Sequence, residues 1–99
     1  MSESESSNHL PNELTLKNAA KISIQDDKPI MLDYWVDSCE EEPTVMIGVK
    51  TSDEKLLVRS SEEFTSPISK IYKVSEDYII MTENSIYIVN CKIPTRRIS

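Results

Sequence analysis

Pro29-Ile30-Met31-Leu32-Asp33-Tyr34-Trp35-Val36-Asp37 is the stretch on which the fold turns. Ile30, Leu32, Tyr34 and Val36 alternate with Met31, Asp33, Trp35 and Asp37. A period of two belongs to a strand with one face turned inward. The same rhythm returns downstream: Val45, Ile47 and Val49 alternate with Met46, Gly48 and Lys50, a polar turn follows at residues 51–54, and another run passes through Leu56 and Val58. Together these two runs predict a hairpin. Residues 60–67 break the pattern, with Phe64 the one large apolar side chain expected to pin that loop to the core. Further β-favouring runs cover residues 68–74, 78–82 and 85–93, separated by Ser75-Glu76-Asp77 and by Glu83-Asn84. Because Asn tolerates positive φ, the second break is the tight-turn candidate.

Upstream of Pro29 the period changes. Leu16, Ala19, Ala20 and Ile24 recur at intervals of three and four, and Asn12 or Thr15 can cap them, which predicts a short helix ending before Pro29. Ile22-Ser23-Ile24 also reads as a short alternating strand. Residues 1–12 (MSESESSNHLPN) carry charge, hydroxyls and a proline with almost nothing to bury, so they read as a disordered Ser/Glu-rich tail. Residues 13–94 are then a single β-rich domain and residues 95–99 a short basic tail. The expected fold is mainly β (α+β): a small antiparallel, half-open β-barrel of about six strands, SH3-like or OB-like, with the helix over one end.

Seventeen acids oppose eleven bases for a net charge of -6, which disfavours approach to a phosphate backbone. Residues 26–63 hold eleven of the acids against four bases, whereas residues 64–99 hold three acids and five bases, so the acidic field belongs to the middle of the chain. No apolar stretch reaches the roughly 20 residues that span a bilayer, and the N-terminus shows no secretory signal pattern. An intracellular protein is expected, with Cys39 and Cys91 as free thiols.

The residue inventory predicts no catalytic, cofactor or metal site. The sole histidine, His9, falls in the expected tail, which removes a triad base and a zinc ligand set together. Gly48 is the only glycine, so there is no phosphate-cradling loop. Asp33 and Asp37, four positions apart on one strand, would lie roughly 14 Å apart, too far for a glycosidase pair. The acids Asp26, Asp27, Glu40, Glu41 and Glu42 lack the spacing of a calcium loop. Tyr34, Trp35, Tyr72, Tyr78 and Tyr87 read as sheet and core packing, because the charge around them has the wrong sign for stacking on nucleic acid. Met31, Asp33, Trp35 and Asp37, continued by Glu40, Glu41 and Glu42, do have the aromatic-anchor and charged-rim composition of a partner-binding surface. Arg96-Arg97-Ile98-Ser99 fits a basic-directed kinase, and Ser2 and Ser60, each with Glu three residues on, fit an acid-directed one.

Lys28-Pro29-Ile30-Met31-Leu32-Asp33-Tyr34-Trp35, Glu63-Phe64-Thr65-Ser66-Pro67-Ile68 and Thr82-Glu83-Asn84-Ser85-Ile86-Tyr87-Ile88-Val89 resemble short, uncharacterised β-rich proteins of large DNA viruses and phages, over about residues 15–93. The resemblance implies a setting, the infected host cytoplasm or a virion, and transfers no functional residue. The expected function is a non-enzymatic protein–protein interaction module that shows an acidic and aromatic surface to a protein partner, basic or a capsid component, without direct contact to nucleic acid or membrane. The alternatives are a structural or minor component of a viral particle and an acidic, nucleic-acid-mimicking inhibitor of a basic partner. A small carboxylate hydrolase is the remaining class.

Overall fold

The computed structural model describes residues 10–98. His9, Ser2, Ser99 and residues 1–9 of the expected tail lie outside the described residues. The protein is α+β and mostly strand. Helix α1 (Glu13–Asp26) is followed by β1 (Ile30–Met31), the single helical turn α2 (Trp35–Ser38), β2 (Met46–Val49), β3 (Lys55–Ser60), β4 (Glu63–Phe64), β5 (Ile68–Val74), β6 (Asp77–Thr82), β7 (Ile86–Asn90) and β8 (Thr95–Arg97).

Helix α1 starts where a side chain can satisfy its first amides. Asn12 accepts from the Leu14 N–H at 2.8 Å, and Asp27 closes the other end at φ 55 in the left-handed region. Asn12, not Thr15, is therefore the cap, and residues 22–24 are helical rather than a strand. The inward stripe is Thr15, Leu16, Ala19 and Ile22, whereas Ile24 is 82% exposed. Thr15 is buried for a polar reason: its Oγ1 donates to Asp77 Oδ2 at 2.8 Å, and the Asn12 N–H reaches the same oxygen at 3.1 Å. One buried carboxylate thus fastens the start of the helix to the start of β6.

Two four-stranded mixed sheets follow, ordered β1-β7-β6-β5 and β4-β3-β2-β8. In the first, β5, β6 and β7 run antiparallel and β1 lies parallel to β7. In the second, β2 and β3 form the expected hairpin, with Met46 opposite Val58 and Gly48 opposite Leu56, β4 pairs with β3 across a bulge, and β8 runs parallel to β2. No closed barrel is found among the described residues.

Both faces of β6 and β7 are buried. Ile79, Met81, Ile86 and Ile88 pack with Ala19 and Trp35 on the α1 side. Ile80 and Val89 pack with Tyr34, Val45, Ile47, Leu57 and Ile93 against the second sheet. The layers are therefore helix, sheet, sheet.

Several sequence expectations are corrected by this arrangement. The alternation of residues 30–37 makes only a two-residue strand, which pairs Ile30 with Ile86 and Met31 with Tyr87 before the chain turns into α2. Both phases of that alternation carry large apolar groups, so no single face can turn inward. The turn instead sends Tyr34 to one core and Trp35 to the other. Buried Ser38 then takes over the edge of β7, its Oγ donating to the Trp35 carbonyl at 2.6 Å and accepting the Asn90 N–H at 2.9 Å. Phe64 does not pin its loop. The adjacent Thr65 does, with its Oγ1 accepting the Leu57 N–H at 3.1 Å and donating to the Ser66 carbonyl at 2.8 Å. The left-handed turn residue between β5 and β6 is Ser75, φ 57, while the β6–β7 turn is held by Thr82 Oγ1, which accepts from the amides of Asn84 and Ser85. Residues 95–97, expected in a tail, are strand β8.

Trp35 is 5% exposed in the core that joins α1 to the first sheet. Trp35→Ala is expected to cost about 3–5 kcal/mol in urea unfolding, the range for emptying a buried aromatic site. A loss below about 1 kcal/mol, typical of surface positions, would contradict this placement.

Candidate functional site

Alternation along β2 and β3 decides which way the second sheet faces. Ile47 and Leu57 point into the core against Ile80, so Gly48, Leu56 and Val58 point away from it. That outward side is not polar. Leu56 and Val58 are both buried, and they form the floor of a groove of about 590 Å³ lined also by Thr44, Met46, Lys50, Arg59, Phe64 and Ile98. Phe64 stands opposite Val58 in the ladder and is 56% exposed.

The C-terminal residues close the other side of the groove. The Ile98 N–H donates to the Val49 carbonyl at 3.0 Å, which brings the Ile98 side chain over Gly48. A methyl group on Gly48 would sit 2.8 Å from Ile98 Cδ1 and 3.1 Å from Val58 Cγ2. The glycine is required for room, since its backbone is not in the left-handed region.

Charged groups of both signs stand around the groove. At the β2–β3 turn Lys50 is half exposed and 3.7 Å from Glu54, with Asp53 exposed in the same turn, while Arg96 lies opposite Gly48 within the ladder. At the other end Glu62 is exposed in the β3–β4 turn, and beyond Thr44 lie the exposed Glu40, Glu41 and Glu42. Arg59 is engaged within the chain. Its Nε donates to Asp37 Oδ2 at 2.7 Å, its Nη1 lies 3.8 Å from Glu63, and its guanidinium sits 5.7 Å from the Tyr34 ring centre. The hydrogen bond and charge of Asp37 hold the guanidinium pKa above its ordinary value. Burial, then repulsion from Tyr87 and Glu63, pushes the Tyr34 hydroxyl up, and burial does the same to the Cys39 thiol.

The residues singled out from the sequence are dispersed. Asp33 is exposed, Met31 is half-buried in β1, Trp35 is in the core, Asp37 is paired with Arg59, and only Glu40, Glu41 and Glu42 remain an exposed run. Cys39 and Cys91 are free thiols. Among the described residues no group of His, Cys, Asp and Glu is placed to hold a metal ion, and no helix is long and apolar enough to cross a membrane. The outer face of the second sheet escaped sequence reading. Its signal was Leu56-Leu57-Val58, three successive apolar residues where a one-sided strand would alternate. No protein-family model, curated protein or solved structure matches the chain.

Gly48→Ala is expected to displace the Ile98 side chain and cost about 1 kcal/mol of stability, visible as a shifted Ile98 methyl resonance. An unmoved Ile98 signal would contradict the contact. Because the folded Tyr34 pKa is raised, the stability tied to its neutral form is present below the unfolded value of about 10 and lost as pH rises through the folded value. Tyr34→Phe should therefore lose less stability than the native chain across that alkaline range. Parallel unfolding curves would contradict the assignment.

Proposed function

We propose that this chain is a non-enzymatic protein–protein interaction module whose contact face is the outer side of the second sheet, in place of the patch at residues 31–42. The observation that carries this reading is Phe64, 56% exposed beside a groove floored by Leu56 and Val58. A large aromatic group left in water beside concave apolar surface has the composition of an interface anchor. The groove's apolar floor, edged by Thr44, Lys50, Arg59, Ser60 and Ser61, suits a side chain of a protein partner. Glu40, Glu41 and Glu42 remain in the proposal as part of a charged rim, where they steer the approach of a partner more than they hold it. The half-open barrel, SH3-like or OB-like in outline, is part of the same proposal: the two sheets wrap the Tyr34, Leu57 and Ile80 cluster, and the outer wall does the binding.

A second reading, a structural component of a viral particle, draws on β5. This seven-residue strand is the outer strand of its sheet and exposes Ile71 and Tyr72, so a neighbour's strand could add to it. The viral setting itself rests on the sequence resemblance.

Replacing Phe64 with a photoreactive benzophenone amino acid in the producing cell tests the leading reading, with Ile24, 82% exposed on α1, as the control position. A discrete protein adduct at position 64, absent at position 24, is expected. Equal or absent adducts at the two positions would overturn it.

A further inference from the structure

On the premise that the outer side of the second sheet is the contact face, we propose that Ser60 is the phosphoacceptor of an acid-directed protein kinase and that the phosphate shuts the groove to its partner. Two independent observations meet at this residue. In the sequence, Ser60-Ser61-Glu62-Glu63 sets carboxylates two and three positions after the hydroxyl, the pattern such a kinase reads. In the fold, Ser60 and Ser61 line the groove together with Val58 and Phe64, so the modified oxygen and the docking surface share one rim.

A kinase cleft takes its substrate extended, and this end of the hairpin supplies that shape at low cost. Ser60, Ser61, Glu62 and Glu63 are all exposed. Strand β4 has two residues, is the outer strand of its sheet, and pairs with β3 across a bulge. Ser60 Oγ accepts the Glu62 N–H at 3.2 Å, an exposed contact that water replaces. Thr65 Oγ1, bonded to the Leu57 amide, anchors the chain just beyond, so residues 60–64 lift away without opening the core. Thr51 has Glu54 at the same spacing as Ser60 and Glu63, but Lys50 precedes it, Lys55 follows Glu54, and Lys50 lies 3.7 Å from that carboxylate. Between Leu56 and Ser69 the one base is Arg59, and it is bonded to Asp37 at 2.7 Å.

In the transfer, Ser60 Oγ attacks the terminal phosphorus of ATP. The new O–P bond forms as the bond from that phosphorus to the bridging oxygen breaks, ADP leaves with the electron pair, and the hydroxyl proton passes to a base of the kinase. The product adds about two negative charges where Glu62 and Glu63 already stand and where Arg59 is engaged. An apolar side chain of a partner entering over Val58 would have to strip water from that dianion, a cost that apolar contact does not offset. Phosphorylation therefore releases the partner instead of recruiting one.

The test uses the full chain with casein kinase II and ATP, read by site-resolved mass spectrometry and by the benzophenone at position 64. Phosphate is expected on Ser60 of the folded chain, and Glu63→Gln should slow its transfer about tenfold, the loss of one charge-assisted contact to the kinase. Irradiated in lysate of the producing cell, the phosphorylated chain should lose its adduct at position 64, while Ser60→Ala treated identically keeps it. Phosphate on Thr51 or Ser2 but not on Ser60, or an adduct that survives phosphorylation of Ser60, would overturn the proposal. Phosphate on Ser60 with no adduct in either state overturns the interaction face instead and leaves the modification site standing.

Discussion

Burial of the β6–β7 hairpin on both faces is the constraint from which the rest follows. Residues 79–81 and 86–89 point apolar groups to both sides of one sheet, so two covers are needed. A chain of this length supplies one long helix for one side and must spend its remaining strands on the other. Apolar burial at about 25 cal/mol per Å² rewards this arrangement, and the polar anchors fix its register. Asp77 holds the helix start, Ser38 ends the parallel pairing at β7, and Thr65 carries the chain past the bulged edge of β3.

The cost of using a sheet as a cover appears at the second sheet's outer side. Its inward residues are committed to Ile80 and Val89, and among the described residues no helix or strand forms a third layer beyond. Leu56 and Val58 nevertheless occupy outward positions and are shielded only by groups of the chain itself, notably Ile98 from the C-terminal strand. Phe64 remains half in water. The face that the fold leaves uncovered is the face the proposed function uses.

Much of this was legible in the sequence. The β2–β3 hairpin, the later strands and the helix, with Asn12 one of its two candidate caps, follow from period and capping chemistry, because each is decided by residues close in the chain. The misreadings arose where distant residues decide. The alternation over residues 30–37 has the form of a strand, but two cores compete for Tyr34 and Trp35 and break it into a turn. Size alone argues for Phe64 inside, but the small Thr65 beside it offers a hydroxyl to an amide of β3 and takes the buried position. Residues 95–97 read as a tail because their charge hides a strand whose partner lies almost fifty positions away. The candidate face was hidden for a related reason: the apolar residues that floor it look like core residues until the sheet's other side is known.

Exposure of side chains to a soluble gadolinium chelate, read by NMR in dilute protein, distinguishes the two-sided sheet from any alternative most directly. Signals from the Trp35 indole, Ile79 and Ile88 are expected to be spared and those from Phe64 strongly attenuated. A quenched Trp35 indole beside a protected Phe64 would contradict it.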